Sequence, residues 1–242
     1  MLYKKLVTFF IVVVVTLVAS VASFAGTTDN SDKEKVQRKV LTPVNLAILI
    51  QDDLVSQVGN ELDETRDFIR SLPAGSQVMV GYITTGTLQV RQPFTTDLDK
   101  AARSLRMVVS STSASAFNPY VEVVEALRKF EAGKGRNVLL LISDGLDTSR
   151  GFDSSAAGNT LDLHRAIEHA RKRDVAVYTF YAPSVGLTSQ NRMAVSYGQS
   201  SLNRLANDTG GKAFFQGSGF VSFSPYFRRL REALNEQYAK AY

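Results

Sequence analysis

The 242-residue chain has no cysteine, no tryptophan and only two histidines, His164 and His169. Without cysteine there can be no disulfide, no thiol nucleophile and no cysteine-based zinc site. Both histidines fall in one expected helix from Leu161 to Arg173. At about 100° per residue they project roughly 140° apart, so they do not converge on one ion. A serine hydrolase would have to draw its base from this pair, and no G-x-S-x-G elbow is present. Gly133-Lys134-Gly135 and Gly217-Ser218-Gly219 lack the further glycines and the following helix of a dinucleotide loop, and read as turns. The paired carboxylates Asp52 and Asp53 are adjacent at a strand end, where neighbours point opposite ways, a poor geometry for acid–base work. The expectation is a protein without catalytic residues and without a cofactor.

The excess of one sign of charge over the other is also small, with 28 lysines and arginines against 23 aspartates and glutamates. The formal net charge is +5, and two of the positive residues, Lys4 and Lys5, open a segment of export type. They precede the apolar run Leu6 to Val21, which is followed by Ser23-Phe24-Ala25, with small residues where a signal peptidase reads. Residues 1–25 are therefore expected to be a signal peptide and the protein to be exported, periplasmic or secreted. The alternative is retention of the run as a membrane anchor, since its length approaches the ~20 residues that span a bilayer. Removing the first 25 residues leaves 217, enough to bury a core without disulfides. Residues 26–40 are polar and read as a flexible leader, with Val36 to Val40 able to add an edge strand; residues 41–242 form the domain. The basic clusters at Arg165, Arg171, Lys172 and Arg173, and at Arg228, Arg229 and Arg231, have no interleaved aromatics, which argues against nucleic acid as a partner.

What the chain does contain is apolar residues (44%) arranged in alternating short runs and amphipathic stretches. Val44 to Ile50 and Asn137 to Ile142 are near-continuous apolar runs, as expected of strands covered on both faces. Val78 to Ile83, Val175 to Tyr181 and Ala213 to Phe215 complete the set of buried strands. Thr84-Thr85-Gly86 turns the chain into Thr87 to Arg91, whose alternation suits a half-exposed antiparallel edge strand. Helices are expected at Asn60 to Leu72, Asp97 to Val109, Pro119 to Phe130, Leu161 to Arg173, Leu202 to Asn207 and Pro225 to Tyr238. This order predicts a three-layer α/β/α Rossmann-like domain with a mostly parallel sheet. Ligands of such sheets bind at the carboxyl ends of the strands. Attention therefore falls on the loops Gln51 to Gly59 and Ser143 to Gly158.

Ile48-Leu49-Ile50-Gln51-Asp52-Asp53, Leu140-Leu141-Ile142-Ser143-Asp144-Gly145 and Asn203 to Gly211 resemble, in order and spacing, motifs of the von Willebrand factor type A (VWA) family, in its exported bacterial branch. The resemblance covers about Val44 to Tyr242. It implies a metal-ion-dependent adhesion site in which a magnesium or manganese ion is held by D-x-S-x-S, a loop Thr and an Asp after the fourth strand. The sequence departs from that pattern. One register puts Gln51, Asp53 and Val55 at D-x-S-x-S; a shift by one puts Asp52, Leu54 and Ser56 there. Phe117 falls near the Thr, with Thr112 and Ser115 in the same loop, and only Asp144 matches. Asp53 and Asp144 are the remaining metal candidates, so the site is expected to be degenerate, with weak or no binding of magnesium or manganese. The expected function is an adhesion-type module that binds a protein partner through a loop face containing Asp52, Asp53, Ser56, Ser115, Asp144, Asp147 and Arg150. The alternatives are a structural subunit of a cell-envelope assembly, or metal-dependent adhesion if the site still holds magnesium.

Overall fold

A computed structural model describes residues 39–131, 135–152, 160–215 and 221–241. The chain divides into Met1–Val36 and a compact unit Gln37–Tyr242. The expected signal segment, the leader to residue 38 and the turns at Gly133-Lys134 and Gly217-Ser218-Gly219 lie outside the described residues. Lys39 and Val40 are not part of a strand.

Among the described residues six strands form one sheet: β1 (Asn45–Gln51), β2 (Gln77–Thr84), β3 (Thr87–Thr95), β4 (Asn137–Ser143), β5 (Val175–Tyr181) and β6 (Ala213–Phe214). Their order is β3-β2-β1-β4-β5-β6, all neighbours parallel except β2 and β3. The helices are α1 (Gln57–Asn60), α2 (Leu62–Arg70), α3 (Leu98–Arg103), α4 (Pro119–Leu127), α5 (Leu161–Lys172), α6 (Arg192–Asp208) and α7 (Ser224–Ala241). The fold is thus the expected three-layer one.

The apolar runs work by their period of two. Leu46, Ile48 and Ile50 of β1, with Tyr178 and Phe180 of β5, face a core closed by α2, α3 and α7. Ala47 and Leu49, with Leu139 and Leu141 of β4, face a second core closed by α4, α5 and α6. The hairpin between β2 and β3 has positive φ at both Thr85 (50°) and Gly86 (65°), the two-residue turn that matches strand twist.

Three elements differ from the sequence expectation by more than three residues at one end. The edge strand β3 runs four residues further, to Thr95, because its pairing with β2 shifts register around Val80 and so continues past Pro93. The helix expected at Asp97 to Val109 stops at Arg103. Beyond it the Tyr82 hydroxyl donates to the Arg106 carbonyl (2.7 Å) and accepts from the Arg106 amide (2.8 Å), holding the chain out of the helix. The short helix expected at Leu202 to Asn207 is instead the 17-residue α6, begun by the Asn191 side chain accepting from the Met193 and Ala194 amides.

Gly198 in the middle of α6 weakens the helical pattern in sequence but serves a contact in space. A Cβ there would lie 1.9 Å from the Asp144 carbonyl oxygen, and a Cβ on Gly145 would lie 2.4 Å from the Gly198 carbonyl oxygen. Two glycines let α6 press directly on the turn that follows β4. Gly145 also has φ +74°, a conformation that side chains rarely adopt.

Candidate functional site

The strand order reverses between β1 and β4, so a crevice opens at their carboxyl ends, where open parallel sheets bind ligands. Gln51 closes β1 and Ser143 closes β4. The Gln51 side chain links them: its carbonyl accepts from the Ser143 hydroxyl (2.6 Å) and the Asp144 amide (3.3 Å), and its NH2 donates to Asp53 Oδ1 (2.8 Å). Asp144 Oδ1 accepts from the Leu146 amide (3.1 Å), and Oδ2 from the Thr188 hydroxyl (3.2 Å). A cavity of about 290 Å³ opens over these groups. Gln51 and Asp53 line it from the first loop, Thr112, Ser115 and Phe117 from the second, Asp144, Leu146 and Thr148 from the third, and Ser184 and Leu187 from the loop after β5.

Asp53 and Asp144 are buried side by side, each about 4% exposed. Burial, and then the Asp144 charge, push the Asp53 carboxyl up to about 6, while the Gln51 and Ser115 side chains favour its charged form less strongly. Burial raises the Asp144 carboxyl as well, against hydrogen bonds from its neighbours.

The register of the first loop is now fixed. Gln51 and Asp53 face the cavity, Val55 packs on the core, and Leu54 is buried in that same core. Asp52 points away. Its carboxylate is held by both Nη atoms of Arg106 (2.7 Å each) and by the Val109 amide (3.0 Å). The Arg106 guanidinium in turn lies 4.0 Å above the Tyr82 ring. Asp52 therefore anchors the segment after α3 and does not line the cavity.

Among the other candidate residues, Ser115 lines the cavity; Ser56, Asp147 and Arg150 do not. Ser56 is exposed at the start of α1, where its carbonyl accepts from the Gly59 amide. Asp147 is occupied locally, accepting from the Ser149 amide (3.1 Å) and hydroxyl (2.6 Å). Arg150 is exposed at the outer part of the third loop. Sequence reasoning missed Gln51 as a bridge and the whole β5–α6 loop with Ser184 and Thr188. The available signal was positional: that loop also follows a parallel strand.

The donor set does not fit a divalent ion. A hard cation of magnesium size requires about six oxygens in near-octahedral array. Here Gln51 presents its NH2 toward Asp53 and commits its oxygen elsewhere, Val55 contributes no oxygen, and both Asp144 oxygens accept bonds from the protein. Asp53, Ser115 and Thr112 are the oxygens left on the cavity wall at the family's ligand positions.

The rim is apolar and strained. Phe117 is 50% exposed with φ +55°, an outlier for a bulky residue, and its carbonyl accepts from the Thr148 amide (2.6 Å). Met107 and Val109, in the same α3–α4 segment, are also more than half exposed but do not line the cavity.

No family model matches the sequence, and no curated protein matches it. Solved structures do. An aerotolerance-related membrane protein from Bacteroides fragilis aligns at 12% identity over 80% of this chain and 99% of that one, with TM-score 0.51. The conserved hypothetical protein BatB from Bacteroides thetaiotaomicron aligns at 15% identity over 81% and 98%, with TM-score 0.53. The VWA domain of SpRpn10 aligns more loosely, at 11% identity over 81% and 95%, with TM-score 0.45.

Proposed function

We propose that this chain, whose fold is VWA-like, is an exported, non-enzymatic module that binds a protein partner through the loops at the carboxyl ends of its strands. The observation that carries this reading is Phe117. A large aromatic side chain is held half exposed at positive φ beside a polar cavity, in a loop pinned from both sides. Strain of about 1–3 kcal/mol at such a residue persists only where the surroundings over-determine it, and it clusters at binding sites. Aromatic side chains are enriched at protein interfaces relative to the rest of the surface. Among the described residues no histidine, lysine or cysteine lines the cavity, which supports binding over catalysis.

Export rests on the Lys4 to Ala25 pattern, and an envelope setting is consistent with the B. fragilis relative being a membrane protein. Among the described residues no helix is long and apolar enough to cross a membrane.

The test is site-directed photocrosslinking in the native host. A crosslinker at Phe117 should give one dominant protein adduct, and capture of that same protein by the unlabelled chain should be lost in Phe117→Asn, which keeps a residue tolerant of positive φ, with the circular dichroism spectrum unchanged. Adducts from the exposed Arg228 and Arg229 of α7, with none from Phe117, would support the structural-subunit reading instead.

A further inference from the structure

We infer that the Asp53–Asp144 cavity takes a cationic side chain, the ammonium of a lysine or the guanidinium of an arginine, presented by the partner protein. This rests on the loop-face reading above and reverses the polarity of recognition implied by the fold, in which a bound ion captures a carboxylate. Its first support is the donor set, which does not fit an ion. Its second is a pair of buried carboxylates with no cationic side chain beside them on the cavity wall. Two carboxylates, each about 4% exposed, share one cavity of about 290 Å³ whose lining, among the described residues, contains no lysine, arginine or histidine. Buried carboxylates are as a rule paired with a cation. The nearby Arg106 is committed to Asp52, and Arg150 is exposed outside the cavity lining.

Asp53 Oδ1 accepts from the Gln51 NH2, and the Ser115 side chain and a backbone amide also favour its charged form, but every one of these donors is neutral. A cation entering here would meet Asp53 directly and relieve its repulsion with Asp144. The walls suit the rest of such a side chain. Leu146, Leu187 and Phe117 offer apolar surface for a methylene stem, and a half-exposed aromatic ring at the mouth attracts a cation to its face. An acidic side chain would meet two like charges with no ion between.

The experiment is amide NMR of the purified protein titrated with blocked tripeptides, Gly-Arg-Gly and Gly-Glu-Gly, each in EDTA and in magnesium. The arginine peptide should give saturable shifts at the Gln51, Asp53, Leu146 and Thr148 amides in EDTA, and Asp53→Asn should weaken binding roughly tenfold or more. Asp144→Asn serves as the second variant, its own spectrum reporting whether it is folded. Shifts of the same amides by the glutamate peptide in magnesium would overturn the inference and leave the loop face standing. Equal binding of the arginine peptide by Asp53→Asn, or no saturable shift at these amides, would also overturn it, while the Phe117 crosslink judges the loop face separately.

Discussion

Gly198→Ala sets two effects of opposite sign against each other. On helix propensity alone, alanine in the interior of α6 should stabilise the domain by about 1 kcal/mol. Geometry predicts the reverse. The new Cβ would sit 1.9 Å from the Asp144 carbonyl oxygen and 3.1 Å from its carbon, and both belong to backbone. The turn is itself fixed by the Ser143 hydroxyl, the Tyr120 hydroxyl on the Gly145 carbonyl (2.6 Å) and Asp144's own bond to the Leu146 amide. To reach ordinary contact α6 must retreat by more than an ångström, lifting the buried Val195, Leu202 and Leu205 off the second core. Overpacking of this kind costs about 1–3 kcal/mol, sometimes more, so a net loss is expected. For a domain of this size that lowers Tm by roughly 2–8 °C. Urea denaturation of the two proteins decides it. A variant more stable than the parent by about 1 kcal/mol would refute the close approach of α6 to the Ser143-Asp144-Gly145 turn.

Arg106→Ala should cost about 3–5 kcal/mol, because it leaves the Asp52 carboxylate, 1% exposed, without its cation; Asp52→Asn, which keeps an acceptor for the Val109 amide, should cost less, and chemical denaturation ranks the two. Asp53 gives a pH signature. Its carboxyl is raised from 3.8 to about 6 in the folded state, so between those values the folded protein holds more protons than the unfolded one. Its contribution therefore destabilises the fold above about pH 6 and fades as pH falls toward 4, by an amount of order 2–3 kcal/mol. Denaturation of parent and Asp53→Asn from pH 4 to 7.5 checks this: the variant should lose that slope, and parallel profiles would refute it.

Much of the fold was legible because burial on both faces writes itself into sequence as continuous apolar runs, as in Val44 to Ile50 and Asn137 to Ile142. The failures came where a single tertiary contact overrides a local pattern. Asp97 to Val109 has helical spacing, yet the Tyr82 hydroxyl and Asp52 capture Arg106 and Val109 and end the helix early. Gly198 depresses the helical signal of α6 because the site requires a bare backbone there. In the site, Asp144 could be found because it follows an apolar strand within a Ser-Asp-Gly turn. The choice between Asp52 and Asp53 could not, since adjacent residues point to opposite sides and the deciding partner, Arg106, lies 54 positions away. Gln51 was visible only as a missing aspartate; its role as a bridge between β1 and β4 depends on a neighbour 92 residues along the chain.

The central claim is that this loop face recognises a protein without a divalent ion, and titration calorimetry with magnesium and manganese tests it most directly. The account predicts no saturable heat below about 1 mM for either ion, in the parent or in Asp144→Ala. Binding tighter than about 10 μM that Asp144→Ala abolishes would contradict it, and would mean that Gln51 gives way to an ion coordinated between the two loops.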